Sequence, residues 1–125
     1  MRDIRECSGP WFGLWIQHLG DHPLRGTMAM TLTFRGCRVF GGGEDRDGAF
    51  SIVGEYDPSS DEVRMLKSYI GLRVWYTGIW NGRFVSGTST IESWPLVDYG
   101  TFEAWPETEE LKVNELADTA TSSKS

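Results

Sequence analysis

With 125 residues and a formal net charge of −6, the chain has the size of one domain and a field that repels phosphate backbones and anionic lipid. No Lys/Arg cluster reverses that field locally, no stretch reaches the roughly 20 apolar residues of a membrane-spanning helix, and Met1 to Pro10 lack the apolar run of a secretory signal. Neither nucleic acid nor membrane is expected as a partner, and the expected location is the cytoplasm.

Six Trp, six Phe and four Tyr accompany fifteen Gly. That combination suits short strands punctuated by tight turns, and no helix-period segment interrupts the chain before Pro106. The organisation expected is an N-terminal segment over 1–8, a single β domain over 9–106 and an acidic tail over 107–125.

In chain order, strands are predicted near Trp11 to Leu19, Gly26 to Phe34, Cys37 to Gly42, Ala49 to Tyr56, Glu62 to Ile70, Arg73 to Trp80, Arg83 to Ser93 and Asp98 to Trp105. Arg35-Gly36-Cys37 reads as a tight turn between two strands, although one long bulged strand fits the same residues, so the count is seven or eight. Asp57-Pro58-Ser59-Ser60-Asp61 and Asn81-Gly82 are hairpin signals, the second suited to a type I′ turn. Hairpin-length connections throughout leave little room for Greek-key crossovers, so the fold class expected is all-β, an up-and-down antiparallel barrel of about eight strands. In the tail, Glu107 to Ala117 reads as a short helix or a frayed acidic segment, with disorder from about Asp118.

Side chains on a strand alternate between faces. The sets Met28, Met30, Leu32, Phe34, then Phe50, Ile52, Tyr56, then Val63, Met65, Tyr69 therefore define an interior, while Thr31, Thr33, Ser51, Glu55, Arg64 and Ser68 face water. Trp11 to Ile16 and Val74 to Trp80 are apolar on both faces, which predicts cover on the outside, either by the chain termini or by another subunit in a homodimer.

Gly13-Leu14-Trp15 resembles the Gly-x-Trp signature of the calycin barrels (avidins, lipocalins, fatty-acid-binding proteins), whose Trp packs across one end of the barrel. Gly48-x-Phe50-x-Ile52-x-Gly54-x-Tyr56 and Tyr76-x-Gly78-x-Trp80 are similar in style to avidin-like strands. The resemblance spans Pro10 to Pro106 and implies a small ligand held inside the barrel. The residues by which avidins hold biotin, and the signal and disulfides of most lipocalins, are not matched, so neither biotin nor a retinoid is implied.

Lys67 is the most informative polar residue, because Val63-x-Met65-x-Lys67-x-Tyr69 turns its ammonium inward, where a lysine needs a partner. With Gln17, Tyr56, Tyr69, Tyr76 and Trp15 it makes a candidate set for a small anionic or carbonyl-bearing ligand. The competing reading has Lys67 snorkelling to water at a strand end, or pairing with an acid such as Glu44 or Asp47.

The run Gly41-Gly42-Gly43-Glu44-Asp45-Arg46-Asp47-Gly48 lacks the Lys-Ser/Thr ending and following helix of a phosphate loop and the later acidic ligand of a calcium loop. It reads as an acidic turn at a barrel rim. His18 and His22 have no third ligand, and Cys7 and Cys37 have no zinc spacing; they read as ordinary thiols, with a bridge between them left open. No cofactor or metal is expected. Three function classes follow: a non-enzymatic binder of a small ligand in the barrel; a homo-oligomeric interaction barrel with a solid core; and a cyclase- or isomerase-like enzyme using Lys67 or a tyrosine as acid or base.

Overall fold

Half-buried strands joined by short turns satisfy every edge only if the sheet closes on itself. The structure, a computed structural model, describes residues 1–19, 22–92 and 97–107. Eight antiparallel strands follow one another around a closed barrel in sequence order. They are β1 (Gly9–Leu19), β2 (His22–Arg35), β3 (Arg38–Asp45), β4 (Gly48–Asp57), β5 (Glu62–Tyr69), β6 (Leu72–Trp80), β7 (Val85–Glu92) and β8 (Val97–Pro106). β8 returns to β1, with Phe12 opposite Trp105, and closes the ring. The expected up-and-down barrel is thus present; the tail reading beyond Glu107 falls outside the described residues.

The connections follow turn chemistry. Arg35 pairs with Arg38 across Gly36-Cys37, where Gly36 has φ 58°, so the ambiguous segment is two strands and a tight turn. The Asn81-Gly82 hairpin is present but is not the two-residue turn expected. Asn81 keeps an ordinary φ and its Oδ1 accepts from the backbone N–H of Arg83 and Phe84, which lengthens the loop to the four residues between Trp80 and Val85.

One end of the barrel is filled. A 3₁₀ turn (Ile4–Glu6), capped by the Asp3 side chain, carries the fully buried Ile4 into the same hydrophobic core as Trp11, Trp80, Val39 and Val63. Trp11 packs against Trp80 and Phe34, at ring-centroid distances of 5.9 and 6.1 Å. Both indoles also donate to the N-terminal segment: Trp11 Nε1 to the Cys7 carbonyl and Trp80 Nε1 to the Arg2 carbonyl, each at 2.7 Å.

Trp11 therefore closes the barrel. The resemblance implied that role for Trp15, four residues on along the same face, but Trp15 stands at the opposite end, where a Cβ on its pairing partner Gly26 would lie 2.2 Å from the indole. Only glycine there lets the ring lie across β2. Midway, Met28, Met30, Ile52 and Met65 fill the interior, and Tyr76 meets Phe102 edge-on at 4.9 Å. The two doubly apolar segments leave Phe12, Trp75 and Ile79 partly exposed on the outer wall.

Candidate functional site

The other end is hollow. A cavity of about 250 Å³ opens at the rim where β1, β5 and β7 end and β6 begins, lined by Trp15, Gln17, Asp45, Lys67, Tyr69 and Tyr76, with Val74, Ser89 and Ile91 on its far wall. The interior is thus solid at the Trp11 end and hollow at the Trp15 end.

Lys67 stands at its centre. The side chain is 3% exposed, and Nζ lies 3.1 Å from Asp45 Oδ2. It also sits 4.2, 5.1 and 6.0 Å from the ring centroids of Phe50, Tyr69 and Tyr76, so aromatic walls surround the cation on several sides. Burial pushes the Lys67 ammonium below its ordinary 10.5, against the opposing pull of Asp45. Lys67 does not project into solvent; it pairs with an acid, as the competing reading allowed, and that acid is Asp45 rather than Glu44 or Asp47.

Asp45 reaches the interior because β3 continues through the glycine run that reads as a rim turn. Counting inward from Val39 by twos gives Gly41, Gly43 and Asp45. A Cβ on Gly43 would meet Phe50 Cζ at 2.8 Å, so the inward glycines leave room for the aromatic wall. The Asp45 carboxylate accepts from Lys67, from the Tyr69 hydroxyl through a short hydrogen bond, and from the Asp47 backbone N–H at 2.9 Å. Burial works to raise its pKa, but the bonds from Tyr69, Asp47 and Lys67 outweigh that and hold the carboxyl below 3.8. Burial also raises the Tyr69 and Tyr76 hydroxyls above 10, assisted at both by Asp45, so both remain O–H donors at neutral pH.

Gln17 lines the same cavity at 5% exposure, and its Nε2 has no hydrogen-bond partner among the described residues. Its neighbour in the ladder is Gly100, where a Cβ would lie 2.1 Å from the Ile16 carbonyl and 3.1 Å from Gln17 Oε1, so glycine makes the space the amide occupies. At the mouth, the Arg46 guanidinium lies 5.5 Å from the Trp15 ring.

Of the expected site residues, the structure therefore gathers Gln17, Lys67, Tyr69, Tyr76 and Trp15. Tyr56 is not among them. It faces inward and is buried, but at the filled end, where its hydroxyl donates to Asp61 Oδ1 at 2.7 Å and the Arg5 guanidinium lies 5.8 Å from its ring. Burial, with Asp61 second, raises that hydroxyl to about 12. The alternation that turned Tyr56 inward says nothing about height along the barrel.

No disulfide joins the buried Cys7 to the exposed Cys37, and His18 rests against Tyr99 at 5.7 Å. Among the described residues no cluster of metal-ligating side chains occurs. Comparison of the chain with protein-family models, curated proteins and solved structures returns no match.

Proposed function

We propose that this chain is a non-enzymatic, calycin-like binding barrel that holds a small, neutral, carbonyl-bearing ligand in its open end. Gln17 carries the reading: a buried amide donor without a partner costs about 1–3 kcal/mol, and a ligand carbonyl seated against it removes that cost. The rest of the lining supports the same class. Asp45 neutralises Lys67 at 3.1 Å, so the site has no net charge to offer an anion and would set it beside a carboxylate. A neutral acceptor avoids that repulsion and still meets the remaining ammonium N–H groups. The volume, about 250 Å³, falls below the ~300–1,000 Å³ of drug-sized sites and suits a single-ring compound against Trp15 and Tyr76.

The test is a native mass-spectrometry and thermal-shift screen of small neutral amides, lactams and ring ketones, repeated on Gln17→Leu. Ligands found with the natural chain should bind the variant about tenfold more weakly, the value of one hydrogen bond, while the variant's own stability is unchanged or raised. If no compound binds at millimolar concentration, or the variant binds equally well, the reading is wrong.

A second reading, a homo-oligomeric interaction barrel, is supported by the outer wall. Phe40, Val53, Leu66 and Trp75 stand directly opposite one another across β3 to β6, with Arg38, Glu55 and Arg64 as the adjoining row. Such a band can face its own copy across a two-fold axis, apolar row on apolar row. Trp75→Asp is then expected to convert a dimer to a monomer in sedimentation velocity; a chain that is monomeric at every concentration disposes of this reading.

A further inference from the structure

We propose that Lys67 binds its ligand covalently, condensing with an aldehyde or ketone to form an imine on Nζ, with Asp45 carrying the proton. The inference rests on the carbonyl-binding reading above and names the subclass of carbonyl and the bond formed.

The geometry is that of a nucleophilic amine. Lys67 Nζ is almost wholly removed from solvent and lines the cavity; that desolvation favours the free amine relative to a lysine in water, against the pull of Asp45 and of the Phe50, Tyr69 and Tyr76 rings on the cation. Its only hydrogen-bond partner among the described residues is a carboxylate at 3.1 Å, close enough to take a proton and return it. Gln17 Nε2 has no partner among the described residues and lines the same cavity, where it can hold the carbonyl oxygen as charge develops on it.

The step balances within the site. Asp45 takes a proton from the ammonium, and the freed lone pair bonds to the carbonyl carbon as the C=O π pair moves to oxygen. A proton passes from nitrogen to that oxygen, giving the carbinolamine. Asp45 then returns its proton to the hydroxyl, which leaves as water while the nitrogen lone pair closes the C=N bond. One ammonium and one carbonyl become one iminium and one water, and the iminium keeps Asp45 as its counter-ion. No oxidant or reductant is consumed.

The composition makes the test sharp, because the chain has only three lysines, Lys67, Lys112 and Lys124, besides its terminal amine. The full chain is treated with benzaldehyde and sodium cyanoborohydride at neutral pH, and the labelled peptides are quantified by mass spectrometry. Reductive trapping adds the mass of the aldehyde less one oxygen. Lys67 is expected to label severalfold faster than Lys112 and Lys124, because desolvation at Nζ raises the share of free amine there. Benzamide, whose carbonyl does not condense, is expected to slow labelling at Lys67 alone. Lys67→Arg keeps the cation but has no primary amine, and should lose the thermal shift that benzaldehyde gives the natural chain.

Labelling at Lys67 no faster than at the other two lysines overturns the inference. If benzaldehyde still raises the melting temperature in that case, the cavity takes the carbonyl without a covalent bond, and only the imine is lost. If it neither shifts the melting temperature nor labels Lys67, the imine is likewise overturned, and the carbonyl-binding reading stands or falls on the amide, lactam and ketone screen.

Discussion

Replacing Asp45 with alanine is expected to destabilise the domain by about 3 kcal/mol, because it leaves the Lys67 ammonium buried among aromatic rings with no counter-charge. The reverse truncation, Lys67→Met, should cost much less. Asp45 lies nearer the rim, with 14% of its side chain exposed against 3% for Lys67, and keeps the Asp47 N–H and the Tyr69 hydroxyl as donors. Replacing both, as Asp45→Asn with Lys67→Met, should bring stability back close to that of the natural chain, since an ion pair and a neutral pair of similar volume fold about equally well.

Urea unfolding of the three variants measures this directly; equal costs for the two single changes would contradict the asymmetry of burial. The pH dependence has a definite sign. The folded Asp45 carboxyl titrates below its ordinary 3.8, so its contribution is fully present above 3.8 and is lost as the pH falls through the folded value. The gap between the natural chain and Asp45→Ala should therefore close in acid. Lys67 acts at the other end of the scale: its pKa is lowered, so the cost of burying it charged fades as the pH rises through the folded value towards 10.5.

Trp11→Ala is expected to be the most damaging single change, at about 4 kcal/mol, or roughly 15 °C in melting temperature for a domain of this size. Trp11 is 1% exposed, its ring supports Trp80 and Phe34, and its Nε1 holds the N-terminal segment that carries Ile4 into the barrel. Trp11→Phe keeps most of the ring volume and loses the hydrogen bond to Cys7, so it should cost about 1–2 kcal/mol. Trp15→Ala, at the open rim, should cost less than Trp11→Ala while weakening ligand binding. Were Trp15→Ala the more destabilising of the two in thermal denaturation, the assignment of filled and open ends would be reversed.

Much of this architecture is legible in the residues. Alternation in Val63-x-Met65-x-Lys67-x-Tyr69 requires Lys67 to share a face with buried neighbours, because successive side chains on a strand point to opposite sides. The same reasoning orients Gln17, Tyr69 and Tyr76. It reaches Asp45 only if the strand is carried on from Val39 through three glycines, and glycine is depleted in strands, so the segment reads as a turn. Glycine stays in the strand because neighbouring chains and rings press too closely for a Cβ at Gly41 and Gly43.

What the sequence determined by itself is the class of fold and the face on which each side chain lies, since both follow from a period of two and from turn chemistry between adjacent residues. What only the tertiary structure decided is height along the barrel axis and who meets whom across it. Trp11 and Trp15 share a face, as do Tyr56 and Phe50, and local alternation cannot separate them. Register between strands can: it sends Trp11 and Tyr56 to the filled end and brings Asp45 of β3, Lys67 of β5 and Gln17 of β1 around one cavity. The physical reason is that strand periodicity is a property of one chain segment, whereas closure of the barrel is a property of all eight at once.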